Sequence, residues 1–350
     1  MSRRVTAKMI ANELGVSVMT VSRALNNRPN VDEKTRALIV NMAQKLGYIP
    51  NQIAKSLVLK KTNTIGVVVP EISISFFPEV IKAIEETAYA AGYQIILTHS
   101  AESVERETCA IQTLVSKRVD GMLLCTAADV KSYDFYKQII GSGMPVVFYD
   151  RCAFNIGASC VHINDEKSAE IITNHLIEHG YERIAHLASL KSLSVGQSRF
   201  SGFKKALTDH GLPLINELIV EAGFDEAGGY RAMLQILQLP ADHLPRAVMA
   251  VNDPVAFGAM QAILERGFKI PEDIAIVGIV DDIRAEIMPI PLTTIRQPAH
   301  LLGKRASEKL LAHIENKNEL IEDIIIDTEI IIRESCGCYY KGKTIGSRNK

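Results

Sequence analysis

Three hundred and fifty residues, 47% of them apolar, supply enough chain for two or three domains with substantial cores and too much for one small domain. No apolar run reaches the length of a membrane span, and Met1-Ser-Arg-Arg leads into an amphipathic helix without a signal-peptide segment, so a cytoplasmic location and no membrane partner are expected. The net charge of −1 hides an asymmetry: residues 1–60 hold ten Lys/Arg against three Asp/Glu, a net of +7, and the remainder carries −8. A basic head on a mildly acidic body points to a polyanion partner for the head alone.

The chain opens with three predicted helices over residues 1–47. Residues 6–14 form the first, with Ile10 and Leu14 one turn apart. The stretch Gly15-Val-Ser-Val-Met-Thr-Val-Ser-Arg-Ala-Leu-Asn26 supplies a turn glycine, an N-cap at Ser17 and a second helix. That helix sets Val21, Ala24 and Leu25 on one face at i, i+3, i+4 spacing. Its other face carries Met19, Arg23 and Asn26, with Val18 and Ser22 at the borders, a small and singly basic surface that fits a DNA major groove. Helix, glycine turn, helix is the helix-turn-helix signature. The blander alternative is two ordinary amphipathic helices. A third helix over 32–46 is capped by Asp32, with Glu33 favouring the helix dipole and Gly47 ending it. Leu38, Met42 and Leu46 are expected on its inner face. Lys34, Arg36 and Lys45 are expected outside, facing phosphates or solvent. Pro50 then breaks the chain, and Asn51 caps a helix of one or two turns, too short to stand alone in water.

From Thr64 the pattern changes to short apolar runs alternating with amphipathic helices such as 78–91 and 168–179. The runs are Ile65-Gly-Val-Val-Val-Pro, Gln94-Ile-Ile-Leu-Thr, Gly121-Met-Leu-Leu-Cys, Pro145-Val-Val-Phe-Tyr-Asp, Cys160-Val-His-Ile, Arg183-Ile-Ala-His-Leu-Ala, Leu218-Ile-Val-Glu, Ala247-Val-Met-Ala-Val and Ile274-Ala-Ile-Val-Gly-Ile. Buried strands joined by crossover helices mean parallel α/β sheets, and nine or ten strands suit two lobes better than one wide sheet. Ligands of open α/β sheets bind beyond the carboxyl ends of the strands, here in a cleft between lobes. Polar or aromatic residues at those ends are the candidates: Phe76, Asp150, Arg199, Phe224, Asn252 and Asp253. Arg199 offers a two-pronged donor to oxygens, Asp253 an acceptor for hydroxyls, and the phenylalanines a stacking face.

Other chemistry is sparse. There is no Walker loop, no Gly-x-Gly-x-x-Gly after a strand, no Gly-x-Ser-x-Gly and no His-Glu-x-x-His, so no catalytic residue and no enzyme is expected. His175 and His179 stand four apart on a predicted helix without a third ligand apparent. Cys336-Gly-Cys338 could be half of a metal or redox site, but no second cysteine pair completes it; Cys109, Cys125, Cys152 and Cys160 are scattered. No metal and no cofactor is therefore expected. Residues 339–350 form a basic tail without heptads.

The words Val-Ser-x-Met-Thr-Val-Ser-Arg-Ala-Leu-Asn and Leu46-Gly-Tyr-Ile-Pro-Asn51 resemble the lactose-repressor (LacI/GalR) family of bacterial regulators. Phe76-Phe-Pro-Glu, Val119-Asp-Gly-Met-Leu, Arg199-Phe-Ser-Gly-Phe203, Asn252-Asp-Pro-Val-Ala256, Pro291-Leu-Thr-Thr-Ile-Arg-Gln-Pro298 and Arg333-Glu-Ser-Cys-Gly-Cys338 extend the resemblance to residue 338. It implies an all-α helix-turn-helix head (1–48), a hinge helix and linker (49–63), and a periplasmic-binding-protein-like α/β core of two parallel-sheet lobes (64–338). Lobe 1 is expected at about 64–160 and 292–320, lobe 2 at about 163–289 and 324–338. The implied DNA contacts are Thr6, Ser17, Val18, Met19, Thr20, Ser22, Arg23, Asn26, Asn30, Tyr48, Asn51, Ala54 and Leu57, with Leu57 wedged between base steps of the minor groove. The six cleft candidates fall where effector contacts lie in the family. The family also reads Gly-Phe/Tyr-Asp-Asp after a late core strand, where this chain reads Gly278-Ile-Val-Asp-Asp282. Val280 thus takes the first acidic position unless a bulge restores Asp281 to the cleft, which weakens the case for a simple sugar. The expectation is a homodimeric repressor on a pseudo-palindromic double-stranded operator, responsive to a small-molecule, carbohydrate-related effector. The alternative is a cytoplasmic small-molecule-binding module without gene regulation.

Overall fold

The computed structural model describes residues 5–48, 61–72, 75–127, 130–189, 194–316 and 318–338. The chain divides into two units, Met1–Thr62 and Asn63–Lys350. The expected hinge contacts Asn51, Ala54 and Leu57 lie outside the described residues, as does the basic tail.

The head holds α1 (Ala7–Leu14), α2 (Val18–Leu25) and α3 (Glu33–Lys45). Each begins at a side-chain cap: Thr6, Ser17 and Asp32 accept from the backbone N–H groups of Met9, Thr20 and Thr35. Gly15 turns the chain between α1 and α2 at φ +63°. Ile10, Ala11, Val21, Ala24, Ile39 and Ala43 form the buried core. Two expectations for α3 change here. Its inner face is centred on Ile39 and Ala43, with Met42 and Leu46 packed at the margin, and Leu38 is 59% exposed. At about 100° per residue the four inner side chains span one arc, and Leu38 falls outside it. Arg36 is not a free outer cation. Its guanidinium donates to the carbonyls of Ala24, Arg28 and Val31 and to Asn27 Oδ1 at 2.8–3.4 Å, closing the loop between α2 and α3.

Lobe 1 is a six-stranded sheet of β1 (Thr64–Val69), β2 (Gln94–His99), β3 (Gly121–Leu124), β4 (Val146–Tyr149), β5 (Ser159–Ile163) and β11 (Asp323–Ile326). The order is β11-β5-β4-β3-β1-β2, and every pair is parallel. Around it lie α4 (Phe76–Ala90), α5 (Val104–Ser116), α6 (Asp134–Gly141) and α11 (Ala299–Glu315). Lobe 2 is built the same way from β6 (Ile184–Ala188), β7 (Ile219–Glu221), β8 (Ala247–Ala250), β9 (Ala275–Val280), β10 (Thr293–Arg296) and β12 (Glu329–Ile331), in the order β12-β10-β9-β8-β6-β7. Only β12 runs antiparallel. Its helices are α7 (Asp165–Glu178), α8 (Ser194–Asp209), α9 (Glu226–Ile236) and α10 (Asp253–Glu265).

Twelve strands among the described residues exceed the nine or ten expected, because β10, β11 and β12 are three- and four-residue segments, the first two at the expected lobe borders and the third within the closing segment of lobe 2. The sheet order also moves those borders. β10 pairs with β9, so the chain leaves lobe 2 after Arg296 rather than before residue 292. β11 pairs with β5, so lobe 1 retains the chain through Ile326 rather than ceding it at 324. Such joins are set by non-local pairing, which leaves no local periodicity to read.

Helices pack closely where glycine interrupts them. A Cβ at Gly229 of α9 would lie 2.1 Å from the Val255 carbonyl oxygen of α10, and one at Gly258 of α10 would lie 1.9 Å from the Glu226 carbonyl oxygen of α9. The two backbones therefore touch directly. Gly229→Ala is expected to destabilise the core by about 1–3 kcal/mol through overpacking. Gly141→Ala, at a helical position where a Cβ meets nothing within 4 Å, should be neutral or slightly stabilising. Urea unfolding of the two variants beside the parent checks the contrast.

Candidate DNA interface and effector cleft

In the head, α2 turns Val21 and Ala24 inward and presents Val18, Met19, Ser22 and Arg23 to solvent. Val18 is 47% and Met19 62% exposed, so two large apolar side chains stand next to each other at the start of this face. Asn26 caps the helix end: its Nδ2 donates to the Ser22 carbonyl at 2.8 Å. Ser17 Oγ holds the N-terminus and sits 2.8 Å from Thr20 Oγ1. Asn30 is exposed, at φ +69°, in the loop before α3, and Tyr48 packs half-buried against the head core. Thr6, Ser17, Thr20, Asn26 and Asn30 are thus at helix ends or loops, while Val18, Met19, Ser22 and Arg23 form one helical face.

In the core, every cleft candidate follows the carboxyl end of a strand: Phe76 after β1, Asp150 after β4, Arg199 after β6, Phe224 after β7, Asn252 and Asp253 after β8, and Asp281 after β9. The fold also links most of them through contacts. Arg199 Nε donates to Asp165 Oδ1 at 2.8 Å and its NH1 to the Val251 carbonyl at 2.7 Å. It lies in the second turn of α8 rather than at its opening, and it is buried. Asn252 Nδ2 donates to the Phe224 carbonyl at 2.9 Å, while its Oδ1 caps α10 through Val255 N–H. The Arg151 guanidinium of lobe 1 lies 5.2 Å from the centroid of the Phe224 ring of lobe 2 and binds Glu102 through both carboxylate oxygens. Asp150 has φ +60°; burial pushes its carboxyl above the ordinary range, aided by Asp165 and opposed by Arg151 and Arg199. Phe76 opens α4 rather than lying on a loop and is buried edge-on against Phe77 in the lobe-1 core.

Asp253 does not face ligand space as a free acceptor. It is fully buried, its Oδ1 accepting from the Thr294 hydroxyl at 2.6 Å and its Oδ2 from the Asp282 N–H at 2.8 Å. Burial pushes its carboxyl up to about 7; these two bonds pull the other way, while the nearby Asp281 and Asp282 add to the rise. Asp281 is likewise engaged, by Arg296 Nε at 2.7 Å and Arg333 NH2 at 2.7 Å. The backbone before it is contorted, with Val280 at φ +142° and Asp281 at φ +62°. That turn brings Asp282 to the lobe boundary, where its Oδ2 accepts from the Ser75 hydroxyl of lobe 1 at 2.9 Å. Burial opposes ionisation of Asp282, but bonds from Arg284 and Ser75 hold its carboxyl below the usual range. Ser75, Arg151, Asp165 and Asp282 were thus missed from sequence. Arg151 and Asp282 stand beside residues that were singled out, each directly after a left-handed position, Asp150 at φ +60° and Asp281 at φ +62°.

The Asp253 shift carries a pH signature. Between its ordinary value of 3.8 and about 7 the folded chain keeps a proton that the unfolded chain has released, so this group makes stability fall as pH rises through that window. Asn at 253 mimics the protonated acid, with Oδ1 accepting from Asp282 N–H and Nδ2 donating to Thr294. The stability of the parent relative to Asp253→Asn should therefore decline between about pH 4 and about pH 7. Denaturant unfolding of both proteins across that range checks it, and parallel curves would refute the assignment.

Comparison with known proteins places these features in context. The family described as "Bacterial regulatory proteins, lacI family" matches residues 6–51, and "Periplasmic binding proteins and sugar binding domain of LacI family" matches residues 62–343. The HTH-type transcriptional repressor PurR of Pasteurella multocida (strain Pm70) is 34% identical over 332 residues, covering 94% of this chain and 98% of that protein. The HTH-type transcriptional regulator DegA of Bacillus subtilis (strain 168) is 30% identical over 329 residues, with 93% and 96% covered. Among solved structures, the lac repressor dimer bound to operator and the anti-inducer ONPF is similar at TM-score 0.85 and 27% identity, covering 95% of this chain and 99% of that one. A transcriptional regulator CelR–cellobiose complex follows at TM-score 0.72 and 26% identity, with 95% and 100% covered.

Proposed function

The chain belongs to the lacI family of bacterial regulatory proteins, and from that premise we propose how this member works. It is a DNA-binding transcriptional regulator with an effector-binding core. In this reading two copies place their heads on the two halves of a pseudo-palindromic operator and repress transcription in the cytoplasm, without enzymatic turnover. Each α2 enters a major groove. Arg23 reads guanine as a two-pronged donor, Val18 and Met19 press on thymine methyls, and Ser22 bonds a base edge or phosphate. Ser17, Thr20, Asn26, Asn30, Thr6 and Tyr48 bind the backbone around it. The observation that carries this reading is the exposed face of α2, which sets two large apolar side chains beside an arginine on a head of net charge +7.

The effector is a small ring compound with polar substituents, carbohydrate derivatives first among candidates, held between the lobes near Asp150, Arg199 and Phe224. Asp253 and Asp281, occupied within the protein, frame the cleft. Ligand entry competes with the cross-lobe contacts of Arg151 with Phe224 and of Ser75 with Asp282. A change in lobe relation alters operator affinity, with a coupling typically of ~1–3 kcal/mol.

Selection of bound duplexes from random DNA by the full-length protein, at stated salt, should enrich a two-fold symmetric site. Arg23→Ala should weaken binding to that site by about 1–3 kcal/mol, roughly 5- to 150-fold, and relax preference at one base pair per half-site. Failure to enrich any sequence, both alone and with a cell metabolite pool, would favour a binding module without gene regulation.

A further inference from the structure

One cluster takes part in neither site. His175 lies in the last turn of α7, and Cys336 and Cys338 lie in the segment after β12; all three are buried in the lobe-2 core. His175 Nε2 is 3.0 Å from Cys338 Sγ, the two sulfurs are 2.7 Å apart, and all three donor atoms fall within 4.8 Å of one another. From sequence, the histidine pair at 175 and 179 lacked a third ligand and the cysteine pair lacked a partner. The fold brings the two half-sites together.

The loop that presents the sulfurs is fixed from several sides. Ser335 Oγ donates to the Ile276 carbonyl at 2.6 Å and accepts from Thr293 N–H at 2.9 Å. The Tyr181 hydroxyl donates to the Cys336 carbonyl at 3.0 Å. Gly337 sits at φ +75°, and a Cβ there would approach the Tyr181 hydroxyl to 3.0 Å and Pro271 Cβ to 3.2 Å. This turn sets Cys336 and Cys338 side by side, facing the imidazole. A lone buried thiol behaves as a small hydrophobe and needs no nitrogen aimed at it. Two thiols converging with one imidazole, and no carboxylate in the set, are the donors of soft metals and not of magnesium or calcium.

We propose that His175, Cys336 and Cys338 form a binding site for one thiophilic d10 metal ion, Zn2+ or Cu+. Binding releases the thiol protons to solvent as the metal–sulfur bonds form, with no change in oxidation state. Three donors complete a trigonal Cu+ site. Four-coordinate Zn2+ adds a water or His179, whose ring centroid lies 4.5 Å from that of His175. Two sulfurs on one tetrahedral zinc stand about 3.8 Å apart, so metal entry spreads the pair by about 1 Å. The ion would tie the end of α7 to the closing segment of the core and stabilise the folded chain by mass action.

The test uses full-length protein, stripped with chelator and kept reduced with a non-thiol reductant. It is titrated with Zn2+ alone and, anaerobically, with Cu+ alone. The expected result is one ion per chain retained through gel filtration, with a raised melting temperature; the ion retained against competing chelator identifies the metal. Cys338→Ser and His175→Ala should each bring bound metal from one ion per chain to none, whereas Cys109→Ser, at an exposed cysteine, should leave it unchanged. Should the core variants fail to fold, Co2+ added to the parent gives an independent readout through its thiolate charge-transfer absorption. The proposal is overturned by absence of binding for both ions, by no such absorption, or by stoichiometry that survives the core variants. It is equally overturned if the protein as isolated is metal-free and peptide mapping finds Cys336 joined to Cys338 in a disulfide.

Discussion

A carboxyl group that never meets solvent holds the cleft in shape. Asp253 ties the N-terminus of α10 to Thr294 on β10 and to the backbone of Asp282 beyond β9. Those bonds, with the grip of Arg296 and Arg333 on Asp281, hold the chain in the unfavourable dihedrals of Val280 and Asp281, each a conformation of the kind that persists only when surroundings impose it. The turn, in its place, aims Asp282 at Ser75 of the other lobe. A buried acid near neutrality therefore sets the geometry of a contact between lobes while itself contacting only lobe 2. The same logic applies to a second contact between lobes, where Arg151, anchored by Glu102 in lobe 1, covers an aromatic ring of lobe 2.

The head was readable because its determinants are local. Caps at Thr6, Ser17 and Asp32, a turn glycine and a 3.6-residue apolar period each act within a few residues, and all three helices follow them. Leu38 shows the limit: three leucine-like side chains one turn apart looked like a face, but the arc that best buries neighbours was centred a quarter-turn away, on Ile39 and Ala43. Arg36 shows another, since a charge on an outer face gave no sign that three loop acceptors and one at the end of α2 were waiting for it.

For the core candidates, placement after strand ends was legible and hydrogen-bond partners were less so. Fold rules place ligand-facing residues after strand ends, and all seven candidates are there. Which of them stay free depends on partners distant in the chain: Asp281 meets Arg333, 52 residues on, and Asp253 meets Thr294, 41 residues on. Arg199, Asn252 and Asp253 all carry hydrogen bonds within the protein, so part of the polarity read as recognition is scaffold. The soft-ligand cluster escaped for the same reason: His175 and Cys338 are separated by almost half the chain, and no spacing rule reaches across that distance.

The three passages between lobes bear on how the molecule is made. Lobe 1 begins at Thr64, but its edge strand β11 and the helix α11, which supplies Leu302, Ala306 and Leu310 to its core, arrive only after all of β6 to β10. A chain emerging from the ribosome therefore carries lobe 1 with one face covered only in part, by α4, until α11 follows, and with one edge unpaired until residue 326 has cleared the exit tunnel. Bare apolar surface and open strand edges are the features that invite misassociation during synthesis. The interleaved connectivity of the two lobes thus also delays burial of the first lobe's core until the strands β6 to β10 of the second have been made.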